Sequence, residues 1–191
     1  MMKVLIACEY SGRVREAFRN KGHDAWSCDI LPADDGSKYH IQGNVLEIIK
    51  DGWDLMIAHP PCTYLTNSGV RWLHERPERW AQLDDGADFF LKLLNAPIDK
   101  IAVENPIMHK YAIERIGRKQ DFCVQPYEHG EPYTKKTCFW LKNLEPFGPT
   151  KLIDKSKVVH AVHKEAPSPD RWKKRSTTYQ GIANAIAEAW G

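Results

Sequence analysis

The sequence predicts an α/β fold: a mainly parallel sheet with helices on both faces. Three observations carry this expectation. Short apolar runs of strand length alternate with segments whose apolar residues recur at helical spacing. Turn-forming or acidic residues follow the runs: Gly12 after the first, Asp29 at the end of the second, Pro60 and Pro61 after a third, Pro106 after a fourth. A chain of 191 residues, 42% of them hydrophobic, suits one compact domain with an ordinary core.

The elements follow in order. Residues 3–8 (KVLIAC) form a buried strand that ends in the turn EYSG, and Val14, Ala17 and Phe18 then fall at helical spacing before Gly22. HDAWSCDI is a second strand with Asp29 at its carboxyl end, and the polar stretch 31–43, with its Pro and Gly, reads as a loop. Asn44 to Lys50 is a short element. WDLMIAH is a strand whose ladder cannot continue into PPCTYLTNSG, because proline has no N–H to give.

Trp80, Leu83, Ala87, Phe90, Leu91 and Leu94 predict a helix over 76–95. IAVENP is a strand stopped by Pro106, a short helix is expected over 108–117, and DFCVQPY and KKTCFWL are two more strands around the turn EHGEP. The last helix, 177–190, carries Ile182, Ala185, Ile186 and Ala189 on one face. In parallel sheets ligands gather at the carboxyl ends of strands, so EYSG, Asp29, PPC and VENP are expected to share one rim.

Composition narrows the function classes. No apolar stretch is long enough for a membrane span, and the N-terminal run lacks the cleavage site of a secretory signal. Five cysteines, an odd number with no CxxC pair, suggest reduced thiols and a cytoplasmic setting. His160 and His163 lie close together, but no cysteine pair with ligand spacing accompanies them, so no metal is expected. The net charge of +2 is too small to identify a partner by itself. Lys151, Lys155, Lys157, Lys164, Arg171, Lys173, Lys174 and Arg175 nevertheless make the region 151–175 locally basic.

Two positions carry chemistry. Pro60 and Pro61 stiffen the backbone before Cys62, presenting a thiol in one direction from a strand-end loop. Thiolates are strong nucleophiles where they are accessible and their pKa is lowered. Glu104, in Val103-Glu104-Asn105-Pro106, places a carboxyl at another strand end, and a buried carboxyl of raised pKa can protonate a ring nitrogen. With cytosine the two roles join: protonating N3 makes C6 electrophilic, the thiolate adds there, and C5 becomes nucleophilic enough to accept a methyl group.

PPC followed at a distance by VENP resembles the DNA cytosine-5 methyltransferase family, with its Pro-Cys catalytic loop and its later Glu-Asn-Val. Other blocks fall in the family's order. ACEYSG (with Cys8, Glu9, Tyr10, Ser11 and Gly12) resembles its cofactor turn, and Cys28-Asp29-Ile30 its ribose-binding acid. Asn44-Val45 stands where the family has an acid for the adenine amino group. GEPYTKKTCFWL (Gly130 to Leu141) is similar to a base-holding block, with Lys135 and Thr137 where the family has arginines. TYQGIANAI, with Asn184 and Ala185, resembles the closing block, whose Asn-containing loop completes the cofactor pocket.

The resemblance implies a Rossmann-like, class I fold using S-adenosylmethionine, in a short, phage-type member. It implies Cys62 and Glu104 as catalytic residues, and Cys8, Glu9, Tyr10, Ser11, Gly12, Asp29, Ile30, Asn44, Val45, Pro60, Asn184 and Ala185 around the cofactor. Pro61, Asn105, Lys135, Thr137, Lys173, Lys174 and Arg175 would face the substrate. The expected partner is nucleic acid, in first place DNA, with RNA or a free nucleotide also open.

Family members that read a sequence carry a large recognition region between the last two blocks. Here residues 142–178 form only a small basic insertion in a single domain spanning 1–191. Two other readings stay open: a nucleic-acid-binding module that keeps the fold without turnover, and an amino-methyltransferase, whose strand-end motif His59-Pro60-Pro61 approaches.

Overall fold

The structure, a computed structural model, describes residues 1–159 and 176–191. Its strands are β1 (Lys3–Ala7), β2 (Asp24–Asp29), β3 (His40–Gln42), β4 (Leu55–Ala58), β5 (Lys100–Asn105), β6 (Phe122–Val124) and β7 (Thr137–Lys142). The helices among the described residues are α1 (Arg13–Asn20), α2 (Val45–Ile48), α3 (Trp72–Glu75), α4 (Arg79–Leu94), α5 (Lys110–Ile116) and α6 (Gln180–Trp190). The fold is α/β and Rossmann-like, as the sequence predicts.

Seven strands form one sheet in the order β3-β2-β1-β4-β5-β7-β6; β7 runs antiparallel to both β5 and β6, and the other pairings are parallel. The central strands are apolar without alternation because both their faces are covered. Val4, Ile6, Leu55, Ile57 and Ala102 pack with Val14, Ala17 and Phe18 of α1 and with Ile182, Ala183 and Ile186 of α6. Leu5, Ala7, Met56, Ala58, Ile101 and Val103 pack on the other face with Leu83, Ala87, Phe90 and Leu93 of α4 and Ala112 of α5. Each such side chain taken fully from water contributes about 1.5–3 kcal/mol, which makes these two layers the main stabilising term.

The chain builds outward from β1 to β2 and β3, then returns to the other side of β1 to lay down β4 and β5. The carboxyl ends of β1 and β4 therefore flank a topological switch point, where open α/β sheets bind ligands.

Two expectations are corrected. The segment 31–43 contains β3, which pairs in register Ser27↔His40 at the sheet edge. Three residues at an edge leave no readable period; His40 is held instead by Ser27 Oγ at 2.8 Å and by the Leu31 carbonyl at 2.9 Å. In α6, Ala189 is exposed, and the buried position is Trp190, whose indole N–H donates to the Glu145 carbonyl at 2.9 Å.

Candidate active site

The turn after β1 is shaped by its own side chains. Cys8 adopts φ 59°, a left-handed backbone uncommon for a residue with a Cβ. Its N–H and that of Glu9 both donate to the Cys28 carbonyl, at 2.7 and 3.3 Å. The Glu9 carboxylate is 5% exposed and turns inward, accepting from the N–H groups of Val14 (2.8 Å) and Arg15 (3.2 Å) and from the Ser11 hydroxyl (3.3 Å). It satisfies amides that the first turn of α1 leaves open and meets the positive end of that helix.

Gly12 precedes α1 at φ 72°, and a Cβ there would collide with the Arg15 guanidinium and the Asp35 carboxylate, which pair with each other. Arg15 is fully buried and also donates to Ser27 Oγ at 2.8 Å, so α1 and β2 are locked together beside the turn. Nothing in the helical pattern marks this arginine as internal. Tyr10 is buried, with its hydroxyl 3.1 Å from Ser176 Oγ.

Asp29 ends β2 half-buried, its Oδ1 accepting the Leu31 N–H at 2.9 Å. Burial raises its carboxyl above the ordinary aspartate value, although the Leu31 N–H pulls the other way. Ile30 beside it is 75% exposed, an apolar shelf next to a carboxylate. A hydroxyl-bearing sugar on the acid and a flat base on the shelf are what this pair can hold. Asn44 caps α2, its Oδ1 taking the Leu46 N–H at 3.1 Å, and Val45 is buried. The Asn44 side chain thus serves its own helix.

β4 and β5 are parallel neighbours with Ala58 opposite Val103, so the next residues along, His59 and Glu104, emerge side by side. His59 Nδ1 lies 3.8 Å from Glu104 Oε2, with side-chain exposures of 11% and 15%. The expectation of a raised Glu104 carboxyl is corrected. Burial pushes it up, but the His59 ring and the Lys135 ammonium outweigh that push, and the net displacement is downward. Neither neighbour is visible as such in the sequence.

Pro60 is buried, Pro61 exposed and Cys62 half-exposed. The Cys62 carbonyl accepts the N–H groups of Leu65 and Thr66, both at 3.0 Å, turning the loop back toward the chain after β5. There Asn67 N–H donates to the Ile107 carbonyl (2.9 Å) and His109 N–H to the Leu65 carbonyl (3.1 Å), with a bridge between Thr66 and Met108. His109, which sequence reasoning missed, is 3% exposed; its Nδ1 accepts the Ala112 N–H at 3.1 Å and caps α5, while Nε2 donates to the Tyr64 carbonyl at 2.9 Å. A histidine following a strand-end proline and preceding a helix could have been read as a cap.

Asn105 is fully buried; its Nδ2 donates to the Pro106 carbonyl at 2.8 Å, and Oδ1 is buried with no partner among the described residues. Cysteines other than Cys62 are less suited to attack. Burial above all, with nearby carboxylates and thiols adding to it, pushes Cys8 and Cys138 far up and Cys28 up to about 11, so those thiols stay protonated. Cys123 faces Cys138 across β6 and β7, sulfur to sulfur at 2.9 Å. None of the five cysteines is in a disulfide.

Lys135 donates through Nζ to the carbonyls of Ser176 (3.4 Å) and Thr177 (3.0 Å), joining the stretch before β7 to the stretch before α6. Val159 is fixed to the same stretch: its N–H donates to the Pro132 carbonyl at 2.8 Å and its carbonyl accepts the Thr134 N–H at 3.2 Å. Thr137 is buried, its hydroxyl donating to the Lys135 carbonyl at 3.3 Å. The helix expected over 177–190 is α6 and takes in Asn184 and Ala185, so only the loop that the resemblance implied around Asn184 is corrected: Asn184 is exposed and bonded to Gln180 at 2.9 Å, and Ala185 is in the core. The residues that reach the rim are those just before α6.

Lys173, Lys174 and Arg175, with His160, His163 and Trp172, lie outside the described residues. Among the described residues no three His, Cys, Asp or Glu side chains gather as metal ligands, and no helix is long and apolar enough to cross a membrane.

The chain matches no family model and no curated protein. Solved structures do match. One is described as a DNA modification methyltransferase encoded within a prophage (E. coli), at 18% identity and a TM-score of 0.53, covering 80% of this chain and 52% of that one. Another is the Entamoeba histolytica methyltransferase EhMeth, at 15% identity and a TM-score of 0.54, covering 80% of this chain and 58% of that one. The chain therefore spans just over half the length of these structures, and what it shares with them is the methyltransferase fold.

Proposed function

We propose that this protein transfers a methyl group from S-adenosylmethionine to C5 of cytosine in nucleic acid, with DNA the first candidate. The observation that carries the reading is the pairing of two loops: the one bearing Cys62 after β4 and the one following Glu104 after β5 are adjacent in the sheet and bonded to each other. A nucleophile and an acid supplied by neighbouring strand ends can act on one ring.

Asp29 and Ile30 fit the ribose and the adenine of the cofactor, and the backbone of Cys8 to Gly12 lines the approach between β1 and β4. When bound, S-adenosylmethionine supplies an electrophilic methyl group on a sulfonium. Cys62 adds to C6 of the ring, and Glu104 holds the proton at N3 that makes this addition favourable. A target base in a duplex must leave the stack to reach Cys62, at a cost of a few kcal/mol.

The test is incubation with tritiated S-adenosylmethionine and, in parallel, duplex DNA, single-stranded DNA, RNA and dCMP, each also as the 5-fluorocytosine form. A trapped Cys62 adduct supports the reading and names the substrate. Label on an exocyclic amine, with no adduct, would replace it with amino-methyl transfer; no label on any substrate would leave a binding module.

A further inference from the structure

The imidazole of His59 is hard to explain by stability. It is almost entirely buried, Nε2 has no hydrogen-bond partner among the described residues, and Nδ1 faces the Glu104 carboxylate. A buried ring nitrogen left unpaired is costly, and an apolar side chain at the end of β4 would avoid that cost. The sheet register, rather than a flexible loop, sets the juxtaposition: Ala58 pairs with Val103, and His59 and Glu104 are the next step on each strand.

We propose that His59 is a positioning residue for Glu104, orienting its carboxylate through Nδ1 and passing to it the proton that goes to N3 of the bound cytosine. This rests on the methyl-transfer reading above. The other charged or titratable groups facing Glu104 are Lys135, from the loop before β7, and Cys138 of β7. Lys135 is engaged with the carbonyls of Ser176 and Thr177, and burial keeps Cys138 protonated, which leaves the imidazole as the group suited to exchange a proton with the carboxylate.

The step balances. As Cys62 gives its electron pair to C6, the Nδ1–H bond of protonated His59 breaks and a Glu104 O–H bond forms; that O–H bond breaks in turn as N3–H forms. Once C5 has bonded to the methyl carbon, whose former bond to the donor sulfur breaks with the pair left on that sulfur, the C5 proton passes to water, Cys62 Sγ departs with the pair of the C6–S bond, and the N3 proton returns along the same path. His59 ends as it began. The relay also accounts for a general acid whose carboxyl, in the free protein, is displaced toward the ionised form.

The experiment measures 5-fluorocytosine adduct formation at Cys62 against pH for the wild type, His59→Gln, Glu104→Gln and the double variant, with His59→Asn replacing the first should it not fold. His59→Gln is expected to be slower by about 100-fold near pH 7.5 and to recover part of that loss as the pH falls, because Glu104, relieved of the imidazole that favours its ionised form, takes up a proton of its own more readily. The double variant is expected to match Glu104→Gln. An equal loss at every pH, or a further loss in the double variant, overturns the proposal. In parallel, the nitrogen resonance of His59 Nδ1 is expected to move in Glu104→Gln; an unmoved resonance overturns the proposal too. A wild-type protein that traps no adduct on any substrate refutes the methyl-transfer reading instead, and the resonance then decides the pairing alone.

Discussion

His109 donates from Nε2 to the carbonyl of Tyr64 at 2.9 Å, and so the helix that follows Glu104 holds the loop that carries Cys62. Because its Nδ1 accepts from Ala112 at the same time, the ring is held as the neutral Nε2–H tautomer. Replacing His109 with alanine removes a cap and a loop tether together, and about 1–3 kcal/mol of stability is expected to go with them. His109→Asn, which can still cap α5, is expected to recover part of this in urea unfolding. Equal midpoints for wild type and alanine variant would contradict the tether.

The same histidine gives a pH dependence. Burial holds His109 and His129 below the ordinary imidazole value, whereas the unfolded chain takes up protons near pH 6.5. Below that pH the unfolded state binds more protons, so their contribution is fully present above about pH 6.5 and is lost as pH falls through the lower folded values. The urea midpoint is expected to drop between pH 7 and pH 5, and less steeply in His109→Asn. The Glu104 carboxyl, also displaced downward, adds its own loss at more acid pH.

Cys62→Ser is expected to abolish both methyl transfer and adduct formation while leaving cofactor binding intact. The side chain is half-exposed in a loop whose turn is made by its carbonyl, so the substitution changes little of the fold. Full activity in this variant would exclude a covalent route.

Glu104→Gln is expected to slow transfer by about 100- to 10,000-fold, the range of general acid catalysis. Glutamine preserves the shape but has no proton to hold at N3. A variant within a few-fold of wild type would move the acid elsewhere.

Asp29→Ala is expected to weaken cofactor binding by about 1–3 kcal/mol, the worth of hydrogen bonds to a charged group, with little change in the reaction of bound substrate. Calorimetric titration with S-adenosylmethionine reads this directly, and unchanged affinity would remove Asp29 from the pocket.

The sheet was legible because central strands buried on both faces read as unbroken apolar runs, and α4 because its period extends over several turns. β3 was not, being too short to show alternation. Cys62 and Glu104 announce themselves through the prolines around them, which are a local signal. His59, Arg15 and His109 do not: each matters through a partner distant in sequence, as when Arg15 reaches Ser27 and Asp35 or His109 reaches Tyr64. The sign of the Glu104 displacement escapes the sequence for the same reason, since burial is foreseeable from a strand end but the arrival of the His59 ring and the Lys135 ammonium from two other loops is not.

Val159 and the Ser176–Thr177 pair are fastened to one short stretch, Pro132 to Lys135, so two places well apart in sequence meet on the same few residues. Pro132 to Lys135 thus works as a clasp. A single substitution in that clasp is felt at both places it closes, while Cys62 and Glu104 stand earlier in the chain.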